Sequence, residues 1–141
     1  MKNRFENLAI QFPGVLRSGI KNFQMRNDRE NLIVDLTFNF GVIIIEFTEL
    51  LESKKKFNMS NQLFKSGTSI GANVREAQNA ESKFDFIHKM KIAAKEADET
   101  EYWLLLCKHS KFYPDTDDLL IQVQSIIKVL SKIISSSKNK M

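Results

Sequence analysis

The residue types that could carry chemistry in this chain are a glycine pair, a carboxylate cluster, two histidines and one cysteine. Gly67 and Gly71 lie in the stretch KSGTSIGANVREAQ, which could form a phosphate-cradling loop. Such a loop needs a strand, then glycines, then Gly-Lys-Ser/Thr at the start of a helix. Lys65 instead precedes the first glycine, and Ala72 follows the second. The stretch therefore does not predict a nucleotide site.

The carboxylates and histidines lack the spacing of a metal site. Helical-bundle di-metal proteins use Glu-x-x-His motifs on facing helices. None of Glu96, Glu99 and Glu101 has a histidine three residues later. His88 and His109 match no other recognised ligand pattern, and we interpret both as surface residues. We therefore predict no metal, no cofactor, no small-molecule substrate and no catalytic residue, although an enzyme with a site in the bundle core is one alternative.

Cys107 is the single cysteine, so an internal disulfide is excluded. It has no partner histidine or cysteine at a recognised spacing, and a buried structural thiol is the expectation. No apolar stretch reaches 18 residues, and no continuous apolar run follows the first basic residues. We therefore predict a cytoplasmic protein with neither a membrane span nor a secretory signal, and one that is not an enzyme.

Four segments with apolar residues at steps of three and four would have to position these groups. They cover residues 31–51, about 61–80, about 82–111 and about 117–135. With only five glycines and two prolines, the chain favours a few long helices over many strands. Short connections make neighbouring helices antiparallel, so the predicted fold is all-α, an antiparallel up-down-up-down four-helix bundle.

The predicted bundle spans residues 25–135. Residues 1–24 form an N-terminal extension of unknown role, and residues 136–141 a disordered tail. Helix starts are predicted at three polar residues that could act as N-caps. These are Ser60 for the second helix, Ser82 for the third and Thr116 or Asp117 for the fourth.

The second predicted helix carries small residues on its apolar face. Gly67 and Gly71 are one turn apart, and each costs about 1 kcal/mol relative to alanine in a helix interior. Such a cost is tolerated where a neighbouring helix comes close or a bulky side chain needs room. That side chain could be a phenylalanine of the first helix or Trp103 of the third. We therefore predict close helix packing at Gly67, Ile70, Gly71 and Val74.

Two further features could mediate assembly. A polar row of Ser66, Ser69, Asn73 and Glu76 could be solvated, face another subunit or hydrogen-bond to the third helix. The run YWLLL at 102–106 is apolar all around a helix, so it is either core or an exposed patch that needs a partner. The predicted oligomer interface comprises Ser69, Asn73, Arg75, Glu76, Tyr102 and Trp103.

Residues 63–106, LFKSGTSIGANVREAQNAESKFDFIHKMKIAAKEADETEYWLLL, resemble the four-helix-bundle proteins encoded within 23S rRNA intervening sequences. The accessory variability determinant proteins of diversity-generating retroelements are similar to these. The resemblance centres on Ser69-Ile70, Asn73-Val74 and Glu76, then on EADETEYWL, and extends more weakly over 25–135. It implies an antiparallel four-helix bundle that assembles as a homo-oligomer, a ring of five, with no established enzymatic activity.

The formal charge of +4 also suggests a nucleic-acid partner. The retroelement proteins similar to this family bind nucleic acid through basic surfaces. Here the basic excess lies in the two ends of the chain. Candidate phosphate contacts are Arg26, Arg29, Lys54, Lys55, Lys56 and Arg75. We predict a homo-oligomeric binding or scaffold protein that associates with RNA, another nucleic acid or a ribonucleoprotein, and the alternative is a protein–protein interaction module without nucleic acid.

Overall fold

The computed structural model describes residues 32–140, which form four α-helices. The helices are α1 (Leu32–Ser53), α2 (Phe57–Ala77), α3 (Lys83–His109) and α4 (Asp117–Asn139). Each helix packs against the next one in the chain, and α1 also meets α4. The predicted antiparallel four-helix bundle is confirmed. Residues 1–24, predicted as an extension, lie outside the described residues.

All four helices contribute to one apolar core. The three-and-four spacing of α1 places Phe40, Ile44 and Leu51 inside, each at most 1% exposed. The buried apolar residues of the other helices include Leu63, Ile70, Val74, Met90, Ala97, Leu104, Val123, Ile126 and Leu130. A buried leucine or isoleucine contributes about 1.5–3 kcal/mol relative to an exposed one, so this core is the main source of stability.

The structure corrects the predicted start of α2, which is Phe57 and not residue 61. Ser60 is not the N-cap; its buried hydroxyl donates to the Thr48 carbonyl oxygen of α1 at 3.1 Å. Lys55 has a φ of 61°, and the backbone N–H of the next residue, Lys56, donates to the Leu51 carbonyl oxygen. This left-handed residue ends α1 and turns the chain into α2 within three residues.

Of the other two predicted N-caps, one makes a capping hydrogen bond and the other does not. Ser82 caps α3 as predicted, because its hydroxyl accepts a hydrogen bond from the Asp85 amide at 3.0 Å. Thr116 occupies the N-cap position of α4 but makes no capping bond; its hydroxyl donates to the Leu104 carbonyl oxygen of α3. The predicted disordered tail is wrong for residues 136–139, because α4 continues to Asn139.

Among residues 32–140, α4 is the one helix long and apolar enough to span a membrane by length and composition. Core helices of ordinary bundles pass the same test. Leu119, Val123 and Ile126 of α4 belong to the core, while Lys128 and Lys132 are exposed on its other side. This distribution is typical of a bundle helix, and the absence of a membrane partner stays a prediction.

The four helices do not close the bundle equally on all sides. α1 and α4 pack against each other less extensively than the other three neighbouring pairs do. A cleft of about 420 Å³ lies along this seam, where Leu32 and Ile33 of α1 approach Val129 and Ile133 of α4. Phe86 and Met90 of α3 also line it. The bundle is therefore packed tightly along three interfaces and loosely along the fourth.

Candidate functional site

The glycine face of α2 packs against α1. A Cβ atom added to Gly67 would lie 2.8 Å from Cγ2 and 2.9 Å from Cγ1 of Ile44, and one added to Gly71 would lie 3.2 Å from the Thr37 carbonyl oxygen. Ile70 and Val74, on the same face, are completely buried. The neighbour that uses the space is Ile44, whereas the sequence pointed to a phenylalanine or to Trp103.

The residues at the two ends of the polar row of α2 contact α3, and Asn73 between them bonds within its own helix. At its N-terminal end the buried Ser66 hydroxyl lies 2.9 Å from the Thr100 hydroxyl of α3. At its C-terminal end the Glu76 carboxylate pairs with Lys89 of α3 at 3.2 Å. Asn73, between them, donates its side-chain N–H to the carbonyl oxygen of the preceding turn. Of the three alternatives for this row, hydrogen bonding to the third helix therefore applies to both ends.

The six residues of the predicted interface do not form one surface. Glu76 contacts α3, whereas Arg75 lines the groove between α2 and α1. Tyr102 and Trp103 lie near the far end of α3, about 20 Å along the helix from Lys89. Their rings are 5.3 Å apart, and the Trp103 indole N–H donates to the Glu99 carboxylate.

The groove between α1 and α2 has a volume of about 220 Å³ and mainly apolar walls. Its lining residues are Val34, Thr37, Phe38, Gly41, Val42, Ile45, Thr68, Gly71, Ala72 and Arg75. No residue of α1 was predicted as a binding residue. The sequence signal was the apolar arc of α1, which is wider than one core-facing stripe.

The predicted nucleic-acid contacts are placed as follows. Lys54 and Lys55 are exposed in the α1–α2 connection. Lys56 is partly buried, and its ammonium group lies 5.0 Å from the centre of the Tyr113 ring, in a cation–π contact. Arg26 and Arg29 lie outside the described residues. The connection therefore presents two exposed lysines at one end of the bundle.

A second cationic surface lies toward the other end of the bundle, and none of its residues was predicted to bind. Phe84, His88, Lys91 and Lys95 recur at steps of four, three and four along α3, so they share one side of it. All four are exposed. Lys138 of α4 lies beside Lys91, and its positive charge, with a smaller contribution from Lys95, lowers the pKa of the Lys91 ammonium group.

Nucleophilic and metal-binding arrangements are not supported by the described residues. Within residues 32–140, no three His, Cys, Asp or Glu side chains group as metal ligands would. Glu96 is partly buried, and this burial, with the nearby Glu99 carboxylate, raises its pKa. Burial raises the pKa of the Cys107 thiol from 9.0 to about 11. A thiol of this kind is protonated at neutral pH and is a poor nucleophile.

The Cys107 thiol is expected to react slowly with a disulfide reagent at pH 8 in the native protein. A pKa of about 11 lowers the thiolate fraction about a hundredfold, and burial of the sulfur adds to this. We expect at least a hundredfold difference between the native and urea-unfolded chains in stopped-flow labelling. Equal rates would show that Cys107 is accessible to solvent.

The fold defines a helical-bundle protein. Its distinctive features are the close packing of α2 against α1, the apolar α1–α2 groove and the cationic surface of α3. The sequence model of the 23S rRNA-intervening sequence protein family matches residues 29–135. The chain belongs to this family, as the resemblance of residues 63–106 predicted.

A similar solved structure is a protein from Bacteroides thetaiotaomicron VPI-5482, described as a protein with unknown function from the S23 ribosomal protein family. It is 42% identical, with a TM-score of 0.70, and the match covers 73% of this chain and 98% of that one. No curated protein matches the chain.

Proposed function

We propose that this chain is a non-enzymatic, homo-oligomeric helical bundle that works by binding, with RNA as its partner. The observation that supports assembly is the apolar face of α1 and α2. Ile45 is 40% exposed in the groove that Ala72 also lines, and Phe57 and Phe64 are exposed along the same side of α2 as the groove residue Thr68. Extended apolar patches are rare on monomers, and a second copy of the chain would cover this one.

A ring of five copies is the arrangement that the family resemblance implies, and we adopt it as the expected assembly. The protonated, buried Cys107 and the lack of a metal-ligand group among residues 32–140 support a role without catalysis. A single free thiol is compatible with the reducing cytoplasm, where we place the protein.

Changing Ile45 to aspartate is expected to shift the oligomer toward monomers. An interface that closes on the α1–α2 groove would bury a carboxylate without a partner, which costs several kcal/mol. We expect the dissociation constant to rise at least tenfold, measured by light scattering and sedimentation across a concentration series. The helix content by circular dichroism should not change, because Ile45 is part-exposed in the single chain.

The same change at Tyr102, which is 55% exposed, provides a matched comparison. Disruption by Tyr102→Asp and not by Ile45→Asp would place the interface at the Tyr102–Trp103 cluster predicted from the sequence. A wild-type chain that stays monomeric at high concentration would contradict assembly altogether.

The alternative is a protein–protein interaction module without nucleic acid, which the apolar α1–α2 face also fits. RNA retention across a salt series separates the two. Contacts to phosphates weaken steeply as salt rises, because binding releases counterions. No retention at low salt, or retention that ignores salt, would favour the protein partner.

A further inference from the structure

We propose that the exposed stripe of α3 formed by Phe84, His88, Lys91 and Lys95, together with Lys138 of α4, binds single-stranded RNA. This inference rests on the RNA partner proposed above and assigns it a site. The site differs from the Lys54–Lys56 connection, which lies at the opposite end of the bundle.

The geometry of the stripe suits an extended strand. Phe84 and Lys95 mark its ends, and they are about 16 Å apart along α3 at 1.5 Å per residue. Lys91 and Lys95 are one turn apart on this line, and Lys138 widens the cationic end toward α4. One side of the molecule therefore offers aromatic rings followed by three ammonium groups.

Among the described residues, no carboxylate forms an ion pair with these three lysines. Within residues 32–140, the ion pairs involve Lys89 with Glu76 and Lys108 with Asp117. α4 carries no acidic residue after Asp118, so no carboxylate of that helix can reach Lys138. Lys91 and Lys138 are like charges that lie side by side, with Lys95 one turn away, and they repel each other. Glu99 lies one turn beyond Lys95, but its carboxylate accepts a hydrogen bond from the Trp103 indole. An anion bound between the lysines relieves their repulsion.

Phe84 distinguishes single-stranded RNA from other polyanions. Its ring is 74% exposed, and a phenylalanine so exposed gains nothing from the bundle core. Unpaired bases stack on aromatic and histidine rings, while lysines contact the phosphates. A duplex hides its base faces and an acidic peptide has none, so neither would use Phe84 and His88 beside the lysines.

The test measures binding of the full chain to a fluorescent oligouridine of about 20 nucleotides by anisotropy over a salt series. The variant K91Q/K95Q/K138Q should reduce the slope of log affinity against log salt by about 2, because each phosphate contact contributes about 0.7 for single strands. Phe84→Ala should weaken binding about tenfold with an unchanged slope, because stacking does not release counterions.

Each variant has a counterpart at the other end of the bundle, where Lys54 and Lys55 are the competing candidate phosphate contacts. K54Q/K55Q/K111Q removes the same charge from exposed lysines, and Phe112→Ala removes a ring that is 86% exposed. If the α3 stripe is the site, these counterparts should lower affinity only slightly, through the reduced overall charge. A drop in the salt slope with K54Q/K55Q/K111Q alone would overturn this site in favour of the α1–α2 connection.

The remaining outcomes separate this site from the proposed function. Wild-type binding that the stripe variants leave unchanged would overturn the site but keep RNA as the partner. No wild-type binding at low salt would overturn both, while the mass measurement would still decide assembly. Equal or tighter binding of a poly-glutamate peptide, or of duplex RNA with no effect of Phe84→Ala, would contradict recognition of single strands.

Discussion

Replacing Gly67 by leucine is expected to lower the free energy of unfolding by about 2–4 kcal/mol and the melting temperature by about 10 °C or more. The first added atom already lies within 2.9 Å of two branch carbons of Ile44, which is itself completely buried. Either α2 must move away from α1 or Ile44 must leave its rotamer. The gain of about 1 kcal/mol in helix propensity offsets only part of this. Urea and thermal unfolding followed by circular dichroism measure the effect.

Gly41 provides the control, because a Cβ atom there would meet nothing within 4 Å. Gly41→Ala should raise stability by up to about 1 kcal/mol, since the helix gains propensity without a clash. Ile44→Ala should partly rescue Gly67→Ala in a double-mutant cycle, because it removes the colliding atoms. An unchanged melting temperature for Gly67→Leu would mean that this face of α2 is open to solvent.

Replacing Thr100 by valine is expected to cost about 1–3 kcal/mol. The two side chains have nearly the same shape, but the buried Ser66 hydroxyl would lose its partner 2.9 Å away. Ser66→Ala should cost less, because the Thr100 hydroxyl keeps the carbonyl oxygen of Glu96 at 2.7 Å. The double variant should be close to wild type, because removing both polar groups leaves none unsatisfied.

Urea denaturation of the four proteins in this cycle gives the coupling between the two hydroxyls. A cost below about 0.5 kcal/mol for Thr100→Val would show that Ser66 finds another acceptor within its own helix. The pair would then be an incidental contact and not a device that fixes α2 on α3.

The features that sequence predicts well are those determined within one helix. The three-and-four spacing of α1, the glycine face of α2 and the Ser82 cap each depend on residues within a few turns. The predicted start of α2 is wrong because the Ser60 hydroxyl donates a hydrogen bond to α1 instead of capping its own helix. Competition of this kind depends on which helix lies opposite, and local spacing does not contain that information.

Binding surfaces are even harder to predict from local sequence spacing than helix starts are. Arg75 and Glu76 are adjacent in sequence, but Arg75 lines the groove against α1 and Glu76 contacts Lys89 of α3, so the predicted interface covers two surfaces. The body of the chain is nearly neutral by count, yet Lys91 and Lys138 come together through the register of α3 against α4. The net charge of each sequence segment does not show which charged residues of different helices lie side by side in the fold.

The loose seam between α1 and α4 has a consequence for how folding free energy is distributed. α2 and α3 are each held tightly on two sides, whereas α1 and α4 are each held tightly on one. Either outer helix can detach by breaking one extensive interface, but an inner helix must break two. Partial opening therefore begins at the two outer helices, and the hairpin of α2 and α3 is the last part of the bundle to lose its protection against amide exchange.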